Sequence, residues 1–188
     1  MLLKSFTTRL SYAILAALLL TSSHARADHS AAEVNVMAAI VHKIVKFVNW
    51  PEQRFAAPDD RLRFCVVGDD GIREAFEVLS ERRIHGRQLS VRTVTEPEEV
   101  AMTCDVLYLA GDEHHSDEVW LDAVAGHPVL TFAEAGHFGG DGSIVSMTVR
   151  RDKVRFSINL DANKGSQLRI SAQLLQLAAQ VATPGHGA

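Results

Sequence analysis

The fold is decided between residues 62 and 80, where the chain reads LRFCVVGDDGIREAFEVLS. The apolar run Leu62 to Val67 is typical of a buried β-strand. The turn Gly68-Asp69-Asp70-Gly71 follows this run, and Ile72 to Ser80 then carries apolar residues at helical spacing. A strand, a turn and a helix in this order open a βαβ unit, in which the chain crosses over the sheet and returns as a parallel strand.

The alternation of strands and helices continues downstream. The apolar patterns predict strands over Arg87 to Val94, Asp105 to Ala110 and Val129 to Phe132. A short helical turn beginning at Glu96 separates the first two of these strands. A helix that Ser116 caps and Gly126 stops separates the last two.

The two ends of the domain complete the prediction. Residues 145–149 and 154–158 alternate apolar and polar side chains around a short turn, which predicts a hairpin. Ser171 is expected to cap a last helix that runs to Val181, and the first helix is expected over Ala32 to Asn49, ended by Pro51. The sequence therefore predicts an α/β fold, with a mixed β-sheet flanked by helices on both faces and a C-terminal hairpin and helix.

The first 27 residues are expected to lie outside this fold. Lys4 and Arg9 precede or border an apolar run from Leu10 to Leu20, and Ala25-Arg26-Ala27 follows as a small-x-small cleavage pattern. These features predict a secretory signal peptide over residues 1–27, cleaved after Ala27, and a periplasmic location. The alternative is an uncleaved anchor, but a spanning helix needs about 20 apolar residues, and this run has 11. Residues 28–182 then form a single domain, and residues 183–188 a flexible tail.

The charge of the chain limits its partners. Residues 1–27 contain three of the 19 basic residues and none of the 23 acidic ones, so the remainder has a net charge of −7. An acidic domain repels phosphate backbones, which argues against nucleic-acid binding. Between Thr93 and Val149 there are 11 acidic residues and no Lys or Arg. This stretch is either a solvated acidic surface or a docking face for a basic partner.

Cys65 and Cys104 are the two cysteines of the chain. An even pair usually closes in an oxidising compartment, and both residues adjoin predicted buried strands, which favours a disulfide. The alternative is two buried thiols. A catalytic thiol is not expected, because neither cysteine has a local His or Lys to lower its pKa.

Five segments, in order, resemble the YfiR family of periplasmic proteins. They are KFVNWP at 46–51, FCVVGD at 64–69, CDVLY at 104–108, PVLT at 128–131, and RFSINL at 155–160 followed by ISAQLL at 170–175. The resemblance implies an α/β domain that forms a homodimer and represses an inner-membrane signalling protein such as a diguanylate cyclase. It also implies that an outer-membrane lipoprotein relieves the repression and that Cys65 pairs with Cys104. A second cysteine pair, which some members carry near residues 139–146, is absent from this sequence.

No pattern in the sequence indicates catalysis, a cofactor or a bound metal. His114 and His115 are adjacent in a predicted loop, so their side chains point apart, whereas metal ligands converge. The glycines of Gly136 to Gly142 precede a strand, whereas a phosphate cradle opens a helix. The chain is therefore expected to be a regulatory binding protein and not an enzyme. The alternative is a small-molecule-binding sensor component for another membrane sensor, such as a histidine kinase.

A ligand site is suggested by the family resemblance, which brings the loop after Trp50-Pro51 close to the start of the last helix. Arg54, Arg169 and Ser171, beside the apolar Phe55 and Phe156, would then bind a carboxylate or phosphate ligand with a flat ring. The alternative is that both arginines are surface charges. Four other histidines are scattered, and we expect them to be solvated or to make single hydrogen bonds: His42, His85, His127 and His137.

The first helix is a candidate interface because it carries apolar residues on more than one side. Met37, Val41 and Val48 occupy one side, and Ile40, Ile44 and Phe47 occupy another. One side must pack on the sheet, and the other needs cover. That cover comes either from a second protein chain or from the same domain.

Overall fold

A computed structural model describes residues 31–68, 70–111, 117–134, 142–150 and 153–182. The expected signal peptide, the Ser116 cap, the His114-His115 pair, most of the glycine-rich segment and the tail lie outside these described residues. Within the described ranges, no helix is long and apolar enough to cross a membrane.

The described helices and strands follow one another in the predicted alternation. The helices are α1 (Ala31–Val45), α2 (Asp70–Val78), α3 (Pro97–Thr103), α4 (Asp117–Val124) and α5 (Ala172–Leu177). The strands are β1 (Val48–Asn49), β2 (Leu62–Val67), β3 (Leu89–Thr93), β4 (Val106–Leu109), β5 (Leu130–Glu134), β6 (Val145–Arg150), β7 (Lys153–Asn159), β8 (Arg169–Ile170) and β9 (Gln180–Ala182). A single 3-10 turn, Glu52–Arg54, lies between β1 and β2.

In the described part of the chain, seven strands form one mixed sheet in the order β3-β2-β4-β5-β6-β7-β9. The strands from β3 to β6 are parallel to their neighbours, β7 is antiparallel to β6, and β9 is parallel to β7. The hairpin aligns Val145 with Ile158 and Val149 with Val154. The predicted α/β class, the mixed sheet and the C-terminal hairpin are confirmed.

Alternation along the strands divides the core into two layers. In β4, Val106 and Tyr108 belong to the layer that contains residues of α1 and α2, whereas Leu107 and Leu109 belong to the layer that contains residues of α3 and α4. All four side chains are buried. A strand that is covered on both faces reads as a continuous apolar run, and this is the pattern that the sequence shows.

The structure corrects the ends of two helices. The first helix stops at Val45 and not at Asn49, because Val48 and Asn49 pair antiparallel with Ile170 and Arg169 as β1 and β8. The last helix stops at Leu177 and not at Val181, because Gln180–Ala182 adds to the sheet beside β7. Both pairings join segments that are distant in sequence, so no local apolar pattern indicated them. The end of α4 is as expected, since Gly126 adopts a φ of 76°.

Candidate functional site

The outer face of α1 carries apolar side chains that the described domain does not fully cover. Val36 is 50% exposed, and Ile40 and Phe47 are half-buried at the margin of the core. We call these three residues the α1 stripe. Ile44, in contrast, is 3% exposed and lies inside the core. Spacing alone does not assign Ile44 to one side, since it follows Ile40 by four positions and Val41 by three. Its burial excludes it from the exposed part of the candidate interface.

The α1 stripe ends where the first helix meets the C-terminal segment. The Phe47 carbonyl accepts a hydrogen bond from the Ser171 amide at 3.0 Å, next to the β1–β8 pairing. The Ser171 hydroxyl in turn accepts a hydrogen bond from the Leu174 amide at 3.2 Å, which caps α5 as expected. The end of α1 and the start of α5 are therefore held together by backbone hydrogen bonds.

A buried carboxylate, that of Asp105, lies where β2 and β4 of the large sheet begin. Asp105 is 0% exposed and accepts hydrogen bonds from the Arg54 Nε and the Arg63 Nη2, each at 2.7 Å from its Oδ1 atom. Its Oδ2 atom accepts from the Arg63 amide at 2.8 Å and from the Arg63 Nε at 3.0 Å. The indole of Trp50 donates to the Asp105 carbonyl at 3.2 Å. One carboxylate thus ties the loop after α1 to β2 and to the start of β4.

The sequence patterns did not indicate that Asp105 is an ion-pair centre. They placed it only within the acidic stretch between residues 93 and 149. A signal was present, because Asp105 is the acidic residue that directly precedes the fully apolar run of β4. An acid at the entrance to a buried strand needs a partner of opposite charge. The hydrogen bond to Asp105 raises the pKa of Arg63 above its usual value, so this guanidinium stays charged. Arg54 supplies the second positive charge.

The residues of the expected ligand site differ in how far the domain itself uses them, and the β1–β8 pairing brings Arg169 beside Asn49. The Arg54 side chain is 10% exposed, and it donates to Asp105 and to the Cys104 carbonyl. The Ser171 hydroxyl caps α5, as described above. Arg169 is exposed on β8. Two of the three residues therefore have partners inside the domain, because the buried charge of Asp105 and the first turn of α5 both require them.

Cys65 and Cys104 form a disulfide that joins β2 to the residue preceding Asp105. Both cysteines are fully buried in the layer that contains residues of α3 and α4. The expected pairing is therefore present in the structure. The disulfide and the Asp105 ion pairs fix the same two strands, β2 and β4, to each other.

The described acids of the stretch between residues 93 and 149 have different environments in the structure. Asp105 is buried, and Glu134 accepts a hydrogen bond from the Tyr108 hydroxyl at 2.8 Å. Four other acids occupy first turns of helices, where the positive end of the helix dipole favours them: Glu98, Glu99, Asp117 and Glu118. Among the described residues, no group of three or more His, Cys, Asp or Glu side chains is arranged to hold a metal ion. The positions of these four acids are therefore favoured by local helix electrostatics.

Three of the four scattered histidines are described, His137 lying outside the described residues, and among the three His42 differs most from expectation. It is 3% exposed, and its Nε2 atom has no hydrogen-bond partner among the described residues. Burial, followed by the nearby charges of Lys46 and Arg82, lowers its pKa to about 4. The expectation of solvation was wrong because α1 packs against α2 as well as against the sheet, which widens its buried side. His85 makes a single hydrogen bond, as expected, from its Nε2 to the Val48 carbonyl at 2.9 Å.

Comparison with known proteins gives one family and a shared fold. A family model described as YfiR/HmsC-like matches residues 34–179. The chain is similar to a conserved domain protein of Vibrio cholerae O1 biovar El Tor N16961, with a TM-score of 0.52 and 15% identity over 79% of this chain and 60% of that chain. At this identity the likeness shows the fold alone.

A second solved structure is the ABC domain of Streptococcus pneumoniae in complex with L-Trp. Its TM-score is 0.46 and its identity is 10%, over 79% of this chain and 60% of that chain. The present chain therefore spans about 60% of the length of each of these two proteins.

Proposed function

The chain belongs to the YfiR/HmsC-like family, and from this premise we propose that it is a periplasmic regulatory binding protein. Its target is an inner-membrane signalling protein, such as a diguanylate cyclase, which it represses through the periplasmic domain of that protein. Proteins of this family are regulators rather than enzymes, and they are periplasmic. The observation on this chain that carries the proposal is the α1 stripe.

The α1 stripe has the properties of a contact surface. Val36 and Ile40 are four residues apart and therefore lie on the same side of α1, and Phe47 follows in the turn after the helix. Full burial of one such side chain contributes about 1.5–3 kcal/mol. A stable interface buries roughly 800 Å² on each partner, so the stripe would form the centre of a larger contact. The exposed residue Lys43 lies on the same side of α1, seven residues after Val36, and would supply a polar contact within this surface.

Two further features of the proposal follow from the family. A second copy of the chain forms a homodimer, and an outer-membrane lipoprotein relieves the repression. Export precedes both events, with cleavage after Ala27. Mass spectrometry of the periplasmic fraction should then find a chain that starts at Asp28, and a full-length chain retained in the membrane would contradict the export step.

The docking proposal is tested by replacing Ile40 with Asp. A carboxylate buried at an interface without a partner costs several kcal/mol, whereas water solvates it in the free protein. We expect Ile40→Asp to remain folded by circular dichroism and to lose co-purification with the membrane protein. The matched control is Val78→Asp, which makes the same kind of change at a residue of α2 that is 76% exposed.

Two outcomes separate the possible reasons for failure. If Ile40→Asp stays folded and still captures the membrane protein as the wild type does, the stripe is not the contact surface. If Ile40→Asp unfolds, Val36→Asp decides, because Val36 is 50% exposed and can accept a charge without entering the core. Light scattering of the same variants reports whether the stripe also mediates self-association.

A further inference from the structure

A cleft of about 150 Å³ opens beside the start of β2. Its floor is formed by Leu62 and Ile84, which are each 1% exposed. Its aromatic lining comes from Trp50, which is 7% exposed, and from the half-buried Phe55. A cavity of roughly this volume accommodates one six-membered ring. The floor of the cleft is therefore apolar, and the cleft as a whole has room for about one ring.

The polar rim of the cleft is presented by a tight turn. Ile84 and Arg87 exchange two backbone hydrogen bonds of 2.9 Å, and His85 and Gly86 between them have φ values of 50° and 79°. Positive φ at both central residues defines the type I′ hairpin turn. The hydrogen bond from His85 to the Val48 carbonyl holds this turn against β1. The rim is thus fixed before any ligand arrives.

Arg87 supplies the positive charge at the rim, and only one of its three side-chain nitrogens donates hydrogen bonds to the described residues. Its Nη1 atom donates to the carbonyls of Ala57 and Asp60 at 2.8 and 2.9 Å. Its guanidinium carbon lies 3.9 Å from the centre of the Phe55 ring. Its Nε and Nη2 atoms have no hydrogen-bond partner among the described residues. A stacked and anchored guanidinium with unused donors is preorganised to bind a carboxylate through two parallel hydrogen bonds.

We propose that this cleft binds a small organic carboxylate with a flat, apolar body. The ring occupies the space above Leu62 and Ile84, and the carboxylate accepts hydrogen bonds from Arg87. The exposed amide of Asn49 lines the cleft and supplies a further polar contact. None of the residues of the α1 stripe lines the cleft. The proposal for the cleft and the proposal for the docking surface can therefore be refuted independently of each other.

The test is an NMR titration of the full secreted chain with benzoate at neutral pH. Benzyl alcohol serves as the matched probe, because it carries the same ring without the charge. We expect saturable shifts for the amides of Asn49, Phe55 and residues 84–87 with benzoate, and at least about tenfold weaker binding of benzyl alcohol. We also expect Arg87→Gln to weaken benzoate binding about tenfold or more, whereas Arg155→Gln, at an exposed position of β7, leaves it unchanged.

The proposal is overturned if the benzoate shifts fail to saturate, if they are spread over the surface, or if Arg87→Gln binds benzoate as the wild type does. Arg87 also holds the loop through Ala57 and Asp60, so its variant needs a second test. His85→Gly removes one wall of the cleft and suits the positive φ at this position, so it should fold. A folded His85→Gly variant should bind benzoate several-fold more weakly, and unchanged affinity would equally overturn the proposal.

Discussion

Arg63 and Asp105 form a bidentate ion pair, in which Nη2 donates to Oδ1 at 2.7 Å and Nε donates to Oδ2 at 3.0 Å. The Arg63 side chain is 34% exposed, whereas that of Asp105 is fully buried. A carboxylate without access to water depends on its protein partners for stabilisation. The pair therefore joins the start of β4 to β2. Arg63 and Arg54, which also donates to Asp105, are structural residues for this reason.

The first prediction concerns Asp105. We expect Asp105→Asn to lower the free energy of unfolding by about 3–5 kcal/mol, because Arg54 and Arg63 then lack their counter-charge. Urea denaturation followed by circular dichroism measures the change. The control Asp122→Asn, at an exposed position of α4, should shift stability by less than about 0.5 kcal/mol. Equal stability of the two variants would show that the network contributes little.

The second prediction concerns the disulfide. Cys65 and Cys104 are separated by 39 residues in sequence. In the loop-entropy description, a bridge of this span stabilises the folded state by about 4 kcal/mol. We expect the double variant Cys65→Ala/Cys104→Ala to lose about 2–4 kcal/mol and to become insensitive to reductant. A wild-type midpoint in urea that is the same with and without dithiothreitol would contradict this expectation.

The third prediction concerns the dependence of stability on pH. His42 in the folded chain has a pKa of about 4, below its ordinary value of 6.5. Between these two values the unfolded chain binds a proton that the folded chain does not bind. The contribution of His42 therefore lowers stability as the pH falls from about 6.5 to 4, and it is constant above this window.

His42→Leu should remove that contribution. We expect the variant to be about 1 kcal/mol more stable at pH 7, because the unpaired Nε2 atom is no longer buried. It should also lose less stability than the wild type on acidification to pH 4. His127→Leu, at an exposed position, is the control and should keep the wild-type slope. The same slope in His42→Leu would assign the pH effect to other groups.

The fourth prediction concerns the cap of α5. We expect Ser171→Ala to cost about 1 kcal/mol, because the Leu174 amide loses its side-chain acceptor. Ser171→Asp should retain most of the stability, since Asp is also a good N-cap residue. Thermal unfolding of the two variants measures the difference. If Ser171→Ala and Ser171→Asp were equally destabilised, the hydroxyl would have a role other than capping.

The positions of the main strands could be predicted because a strand that is buried on both faces is a continuous apolar run, which is recognisable without knowing the neighbouring strands. Val106 to Leu109 forms an apolar run wherever β4 lies in the sheet. The hairpin was equally visible, since Val145–Arg150 and Lys153–Asn159 are joined by a short turn. In contrast, β1 and β9 are two and three residues long, and each is a strand only because a distant segment provides its hydrogen bonds.

The candidate sites divide in the same way. The disulfide could be predicted, since pairing two cysteines requires no knowledge of the fold beyond the compartment. The partners of Asp105 and the burial of His42 could not, because an isolated helix or strand does not reveal how many neighbours cover it. The cleft beside Arg87 was also invisible, because residues 49 and 87 meet only after β2 and β3 have paired.

The sequence by itself determined the alternation of the main strands and helices and which faces of those strands are apolar, and it favoured the pairing of the two cysteines. These properties depend on local periodicity and on residue chemistry, which are the same in the unfolded chain. Only the tertiary structure decided which charges are paired, which polar groups are buried and which apolar side chains of α1 stay exposed. These outcomes depend on desolvation by residues far away in sequence, and that environment exists only when the two helical layers have closed over the sheet.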